Sequence, residues 1–588
     1  MKFAEALTIL QKAPPHAPYF RVVLACGFTP LHLSSYLGAY LQQSFVNRKV
    51  TVVAGEYGDL IGTVRRAASD SPDAVAIALE WTDLDPRLGY RQLGGWGPAQ
   101  AQDSVQTARA ALGRLADAVA SLPAGSPVAL SLPTLPFAPI FFTSPAQAGA
   151  IEIELLHLIH GFGLEFARGA SHYLVNPQFL QEGSPEPARL DFKNELLAGL
   201  AYTIPHAEKV AAALARLLHP PASKKGLITD LDDTLWDGLV GEVGVDGIAW
   251  DLSGHQQIHG LYQQMLRALA ESGVLVAVAS KNEPDVIRQA FERKDILVSP
   301  DKIFPFEVHW HAKSGSVQRV LSAWNISADS VVFVDDSPLE LAEVKAVHPG
   351  IECVRFPKDD YAGAHDFLWR LRDLFGKPRV GEEDSYRLNS LRQDSQRRAQ
   401  SFSTNHSGST DADSSDRFLA SLEAVVEIEF GADAADARAF ELVNKTNQFN
   451  LNGTRYTESE WRRQVDRPDA FLAVVSYRDK FGPLGKIAVV QGTRRDRALS
   501  VDTWVMSCRA FARRIEYQCL RLLFDRFTAD QILLSYTPTL KNAPVREFLA
   551  ALDCDLDRPS IQRPSFDGKC PGLFHRVEEL RCITSRSE

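Results

Sequence analysis

At 588 residues the chain exceeds what one hydrophobic core supports, roughly 250 to 300 residues, so two to four domains are expected. A content of 45% hydrophobic and 23% charged residues excludes global disorder. A formal net charge of −10 argues against a generic nucleic-acid binder, which needs a basic field over the phosphate backbone.

The opening MKFAEALTILQKAPP sets Lys and Glu among its apolar positions, which fits neither a secretory signal nor a transit peptide. No later run reaches the roughly 18 uncharged apolar residues of a membrane span, so a cytoplasmic protein is expected. Residues 1–220 alternate β-like runs (RVVLACGF, KVTVVAG) with helical patterns and end in the helical AEKVAAALARLL before a Pro-rich linker. Over 222–380, short Val/Ile/Leu runs (GLITDLDD, GVLVAVASKN, SVVFVDDS, IECVRFP) alternate with helical patterns, which predicts a parallel sheet covered on both faces. The ligand site of such a sheet lies beyond the carboxyl ends of its strands, where the polar clusters fall. Residues 381–415 read as a helix and a flexible polar tether, because SQRRAQSFSTNHSGSTDADSSD has too few apolar side chains to offset its ordering entropy. A third domain over 416–588 mixes strands (AVVEIEF, AFLAVVSYRD, GKIAVVQG, LSVDTWVM, QILLSY) with helices. The fold class expected is α/β, in several domains.

Cys26, Cys353, Cys508, Cys519, Cys554, Cys570 and Cys582 are odd in number and include no Cys-x-x-Cys pair, which suggests free thiols and no zinc site.

Asp230-Leu231-Asp232-Asp233-Thr234 emerges at the end of the predicted strand GLIT. Two carboxylates one residue apart at a strand tip can converge on one hard cation, and magnesium is the usual choice beside phosphate. Asp230 can attack phosphorus to form an aspartyl-phosphate, and Asp232 can protonate the leaving oxygen and then activate water. Most Asp-x-Asp triplets are only turns or caps. Here three further features follow in order at later strand ends: Ser280, Lys313 and Asp335-Asp336. A hydroxyl grips a phosphate oxygen, a Lys offsets the combined charge of phosphate and aspartate, and a distal carboxylate completes the metal shell. Thr234, Lys281 and Asn282 are assigned to the phosphate with Ser280 and Lys313. The gaps from Asp230 to Ser280 and from Ser280 to Lys313, about 50 and about 33 positions, leave no room for an independent cap domain. An open site is therefore expected, suited to a substrate carried on another protein.

These four groups resemble the motifs of the haloacid dehalogenase superfamily, with a Rossmann-like sheet. The wording DLDDTLWDGLVGEVG, LVAVASKNE, VFVDDSPLELAEV, VNKTNQFNLNGTRYTE, VDTWVMSCRAFARRIE and YTPTLKNAPV is similar to the FkbH-like branch over most of residues 222–555. The resemblance implies Asp230 as nucleophile, Asp232 as acid/base, and magnesium held by Asp230, the Asp232 main-chain carbonyl, and Asp335 or Asp336. It also implies a bifunctional glyceryl transferase/phosphatase, which takes 1,3-bisphosphoglycerate, removes phosphate and loads the glyceryl group on the phosphopantetheine arm of an acyl carrier protein for polyketide-type biosynthesis. No nucleic-acid or membrane partner is expected.

The third domain resembles a GNAT acyltransferase, although Ala512-Arg513-Arg514 stands where glycines would bring backbone N–H groups to a pyrophosphate. Cys508 precedes a helical run beside Arg509, a setting that favours thiolate and suggests a thioester carrier; a buried strand-end thiol is the alternative. Asn444, Asn447, Gln448 and Asn450 can bind glyceryl or pantetheine amides, or simply form turns. His309, Trp310 and His311 read as loop packing, and Glu340 as a residue orienting the following helix. The first domain resembles an SGNH-hydrolase-like segment whose Gly-Asp-Ser nucleophile block is replaced by Cys26-Gly27-Phe28-Thr29, so a docking or scaffolding role is expected there. Two other functions remain open: a phosphatase or phosphotransferase on another small phosphorylated acid or sugar, and a non-catalytic carrier-binding scaffold.

Overall fold

The computed structural model describes residues 1–377, 416 and 419–580, except 124, 140–142, 145, 182, 254, 432, 433, 435, 481, 508, 509, 511, 512 and 540. The predicted helix and tether over 381–415 lie outside the described residues. The chain forms two compact units, Met1–Pro221 with Tyr456–Arg463, and the described residues of Ala222–Arg455 with Gln464–Glu588.

The first unit carries a five-stranded parallel sheet of β1 (Tyr19–Ala25), β2 (Lys49–Ala54), β3 (Ala74–Ala78), β4 (Val128–Ser131) and β5 (His172–Leu174), in the order β2-β1-β3-β4-β5. Val22 and Leu24 of β1 enter one apolar core and Val23 and Ala25 the other, so the sheet is covered on both faces. Residues 456–463 belong to this unit through Glu458, which accepts from Ser171 Oγ at 2.7 Å, and Glu460, which accepts from Arg48 Nη2 at 2.6 Å.

The second unit contains two sheets. β6 (Gly226–Thr229), β7 (Leu275–Ser280), β8 (Ile303–Val308), β9 (Val331–Asp335) and β10 (Glu352–Arg355) form a parallel sheet in the order β10-β9-β6-β7-β8. Period-2 alternation sends Leu227, Val276, Val278, Val332 and Val334 to one core and Ile228, Leu275, Ala277, Val331 and Phe333 to the other. The helix Gln257–Glu271 buries Ile258, Tyr262, Leu266 and Leu269, a helical repeat that faces the first of these cores. Each such side chain contributes about 1.5–3 kcal/mol. Between β6 and β8, besides β7, the described residues supply the short helix Val240–Val243, the helices Gln257–Glu271 and Pro284–Ala290 and the 3-10 turn Pro300–Lys302, with no inserted domain.

The other sheet is mixed: β11 (Val425–Phe430), β12 (Phe449–Asn450), β13 (Ala470–Asp479), β14 (Gly482–Arg495), β15 (Ala498–Met506), β16 (Gln531–Leu534), β17 (Ser560–Gln562) and β18 (Arg576–Leu580), in the order β17-β16-β15-β14-β13-β11-β18, with β12 on β15. Its β15–β16 and β11–β18 pairs are parallel, and β11–β13, β13–β14, β14–β15, β12–β15 and β16–β17 are antiparallel. No described helix is long and apolar enough to cross a membrane, and Cys26, Cys353, Cys519, Cys554 and Cys570 are free thiols.

Candidate active site

Strand register builds the site. Thr229 pairs with Val334 in the parallel ladder, so the next residues, Asp230 and Asp335, leave neighbouring strand tips side by side. The Asp230 N–H still donates to Val334 O at 3.0 Å, which fixes the turn out of β6. Lys313, at the start of the helix Lys313–Trp324, extends its ammonium between the two carboxylates, 2.9 Å from Asp230 Oδ2 and 2.6 Å from Asp335 Oδ2. All three are nearly sealed from solvent: Asp230 is 6%, Lys313 4% and Asp335 0% exposed.

One buried polar atom of this cluster is unmatched. Asp230 Oδ1 has no hydrogen-bond partner among the described residues, an arrangement that costs roughly 1–3 kcal/mol unless something occupies it. Oxygens of Asp230, Asp335 and Asp336 lie within 4.8 Å of one another, a hard-donor set that fits a small divalent cation. Burial and the Asp230 charge push Asp335 up to about 7, against the pull of Lys313. Asp336 is raised by burial, then by Asp230 and Asp233. Burial opposes the charge on Lys313, but Asp230 and Asp335 outweigh it and raise the pKa.

Asp232 is turned to other partners. Its Oδ1 accepts from Trp236 Nε1 at 2.9 Å and from the Val240 N–H at 3.2 Å, and its Oδ2 from Asn282 Nδ2 at 3.1 Å. Burial raises its pKa, and these hydrogen bonds work the other way. The side chain thus stands outside the cation cluster, which leaves only its main-chain carbonyl for the metal role expected of it. Asp233, in the left-handed region at φ 55°, accepts from the Gly238 N–H at 3.0 Å and folds the loop back over the strand tips.

Ser280, at the tip of β7, is 3% exposed, and its hydroxyl accepts from Asn282 Nδ2 at 3.1 Å. The structure therefore brings Asp230, Asp232, Ser280, Asn282, Lys313, Asp335 and Asp336 to one end of one sheet. Two residues assigned to phosphate are committed elsewhere. Thr234 is fully buried; it accepts from the Asp336 N–H at 3.1 Å and donates to Asp336 Oδ1 at 3.4 Å, so it positions a cluster carboxylate. Lys281 Nζ pairs with Glu340 Oε1 at 2.8 Å. Ser337 caps the helix Pro338–Val347 that carries Glu340. Trp310 donates to Glu283 Oε1 at 2.7 Å, and His309 packs beside Glu307 and Ser316. Sequence reasoning missed Lys358, which pairs with Asp233; its only signal is a strand-end position after β10.

The amide cluster stands apart. Asn447 and Gln448 line a cavity of about 120 Å³ with Lys225, Leu275 and Ser330, residues at the amino ends of β6, β7 and β9 and so opposite to Asp230. Asn447 Oδ1 accepts from Arg455 Nη2 at 2.5 Å. Asn450 is 2% exposed, donates to Thr446 O at 3.1 Å and accepts from the Gly453 N–H at 2.7 Å, the work of a turn former. These three residues therefore do not join the carboxylate site. Cys508 and Arg509 lie outside the described residues. Arg514, where glycines were expected, occupies the left-handed region at φ 57° and donates to Gly572 O at 2.7 Å and Asp416 Oδ1 at 2.6 Å.

No protein-family model matches the chain, and no curated protein sequence matches it significantly. Among solved structures the chain is similar to the N-terminal part of the protein BF1531 from Bacteroides fragilis, which contains a phosphatase domain complexed with Mg, at 20% identity and TM-score 0.48 over 64% of this chain and 100% of that one. It is also similar to an uncharacterised protein from Corynebacterium glutamicum, at 17% identity and TM-score 0.19 over 26% of this chain and 99% of that one.

Proposed function

We propose that the second unit is a magnesium-dependent phosphatase of the haloacid dehalogenase type. The observation that carries this reading is the half-satisfied Asp230 carboxylate: Oδ2 is paired with Lys313 while Oδ1, buried among two further carboxylates, has no hydrogen-bond partner among the described residues.

Asp230, Asp335 and Asp336, with the main-chain carbonyl of Asp232, are the residues that would hold the ion, which when bound neutralises phosphate charge. Lys313 offsets the same charge from the other side. The Asp230 carboxylate attacks phosphorus, a P–O bond to Asp230 forms, and the P–O bond to the leaving group breaks. Asp232, held by Asn282 and Trp236, gives its proton to the departing oxygen. In the second half Asp232 takes a proton from water, the water oxygen attacks phosphorus, and inorganic phosphate leaves as the Asp230 carboxylate is restored. Ser280 binds a phosphate oxygen.

The finer reading is a cytoplasmic glyceryl transferase/phosphatase. It takes 1,3-bisphosphoglycerate: the Cys508 thiol attacks the C1 acyl phosphate, an S–C bond forms and inorganic phosphate leaves; the 3-phosphate is hydrolysed at Asp230; and the phosphopantetheine thiol of an acyl carrier protein displaces Cys508 to take the glyceryl group. Support comes from the FkbH-like wording of the sequence and from a site with no inserted cap among the described residues. The test is incubation of the full chain with magnesium, 1,3-bisphosphoglycerate and a carrier protein, reading free phosphate and the carrier's mass. A glyceryl increment that disappears in Asp230→Asn supports the whole reading. Phosphate release alone leaves a phosphatase on a small phosphorylated acid, and neither signal overturns both.

A further inference from the structure

The first unit holds a second, unassigned crevice. Its strand order β2-β1-β3-β4-β5 places a topological switch between β1 and β3, because the chain leaves β1 to one side and returns to the sheet on the other. Open parallel sheets take their ligands beyond the strand ends at such a switch. A cavity of about 590 Å³ lies there, bounded by the loops after β1, β2 and β3, a size that suits a small molecule.

Its walls supply both a free acceptor and cations. Glu195 lines the cavity at 7% exposure, and its Oε2 has no hydrogen-bond partner among the described residues. Arg91 stands beside it, donating to the Glu195 main-chain oxygen at 2.8 Å and lying over the Tyr57 ring at 5.4 Å. Arg114 is exposed on the same wall. Asp83 forms part of the wall as well, accepting from the Glu80 N–H at 2.8 Å; a Cβ on Gly27 would fall 1.8 Å from Asp83 Oδ1, so only glycine leaves that carboxyl its place.

Among the described residues, Cys26 and His206 offer it no free nucleophile or base. Cys26 is 1% exposed and donates to Phe28 O at 3.4 Å, and burial pushes its thiol pKa up. His206 is spent on Thr134 Oγ1 at 2.7 Å and Ser184 Oγ at 2.9 Å.

We propose that this cavity binds a small polyhydroxylated carboxylate without turnover, a ligand hydroxyl donating to Glu195 Oε2 and the ligand carboxylate facing Arg91 and Arg114. The inference is independent of the phosphatase reading. Isothermal titration of the full chain with gluconate tests it, since gluconate has no phosphate for the other unit. Saturable 1:1 binding is expected. Glu195→Leu, which removes a buried unpartnered carboxylate and so spares the fold, should weaken it about 10-fold or more, as should Arg114→Gln at an exposed position. Asp230→Asn should leave it unchanged. Absence of saturable binding at millimolar gluconate overturns the proposal, as does binding that survives both cavity variants or is lost in Asp230→Asn.

Discussion

Asn282 holds Asp232: its Nδ2 lies 3.1 Å from Asp232 Oδ2 and fixes the carboxyl proposed to serve the leaving oxygen. Asn282→Leu keeps the volume and removes the donor. We expect kcat for phosphate release from p-nitrophenyl phosphate to fall roughly 10- to 100-fold, with KM moving less, because a misplaced acid costs chemistry more than binding. Unchanged kcat would mean that Asp232 needs no such support.

Lys313 lies buried between Asp230 and Asp335. Lys313→Met leaves two carboxylates facing each other without a counter-charge, and a loss of about 3–5 kcal/mol in urea unfolding is expected. Adding Asp335→Asn in the same chain should recover part of that loss. A double variant no more stable than the single one contradicts the assignment.

Magnesium that binds the folded chain alone must stabilise it. At 100 times its dissociation constant the gain is about 2.7 kcal/mol, seen as a rise in Tm reversed by EDTA. Asp336→Ala removes a ligand and should abolish most of the rise; an equal rise in wild type and variant would place the ion elsewhere.

His206 is fully buried, and burial, with a smaller push from Arg189, lowers its pKa to about 3 from an ordinary value of 6.5. The folded state thus resists a proton that the unfolded chain accepts. Stability is intact above about pH 6.5 and falls as the pH drops from there toward 3, by at most about 1.4 kcal/mol per pH unit. His206→Gln should flatten this acid-side loss in urea midpoints measured at pH 7 and pH 5, and a parallel loss in the variant would assign it to other groups.

Gly226 opens β6, and a Cβ there would stand 2.4 Å from the Trp324 ring, which is anchored by its Nε1 bond to Phe304 O at 2.7 Å. Gly226→Ala should cost about 1–3 kcal/mol in the same urea assay, while Gly241→Ala, with open space around it, should cost far less.

The parallel sheet of the second unit was legible because its strands are uninterrupted apolar runs that end in polar residues, a pattern that fixes both strand identity and the end at which the polar side chains gather. Asp230, Ser280, Lys313 and Asp335 could be placed at one end for that reason. Sequence could not say which polar neighbours point inward: Thr234 and Lys281 follow the same strand ends, yet one is absorbed by Asp336 and the other by Glu340, choices made by tertiary contacts. The distance of Asn447 and Gln448 from Asp230 was not legible either, because only the fold sets them by the amino ends of the strands. Glu195, Arg91 and the cavity they line were invisible, being assembled from loops that no local pattern links.

The helix Glu458–Val465 begins within the segment that closes the first unit. A ribosome working from Met1 must therefore deliver residues through 463 before Ser171 and Arg48 meet Glu458 and Glu460. All five strands of the amino-terminal sheet are made by residue 174 and those of the second parallel sheet by residue 355, so the first unit lacks only the contacts of residues 456–463 until late in synthesis. A protein cut after residue 221 would leave the first unit without its final piece.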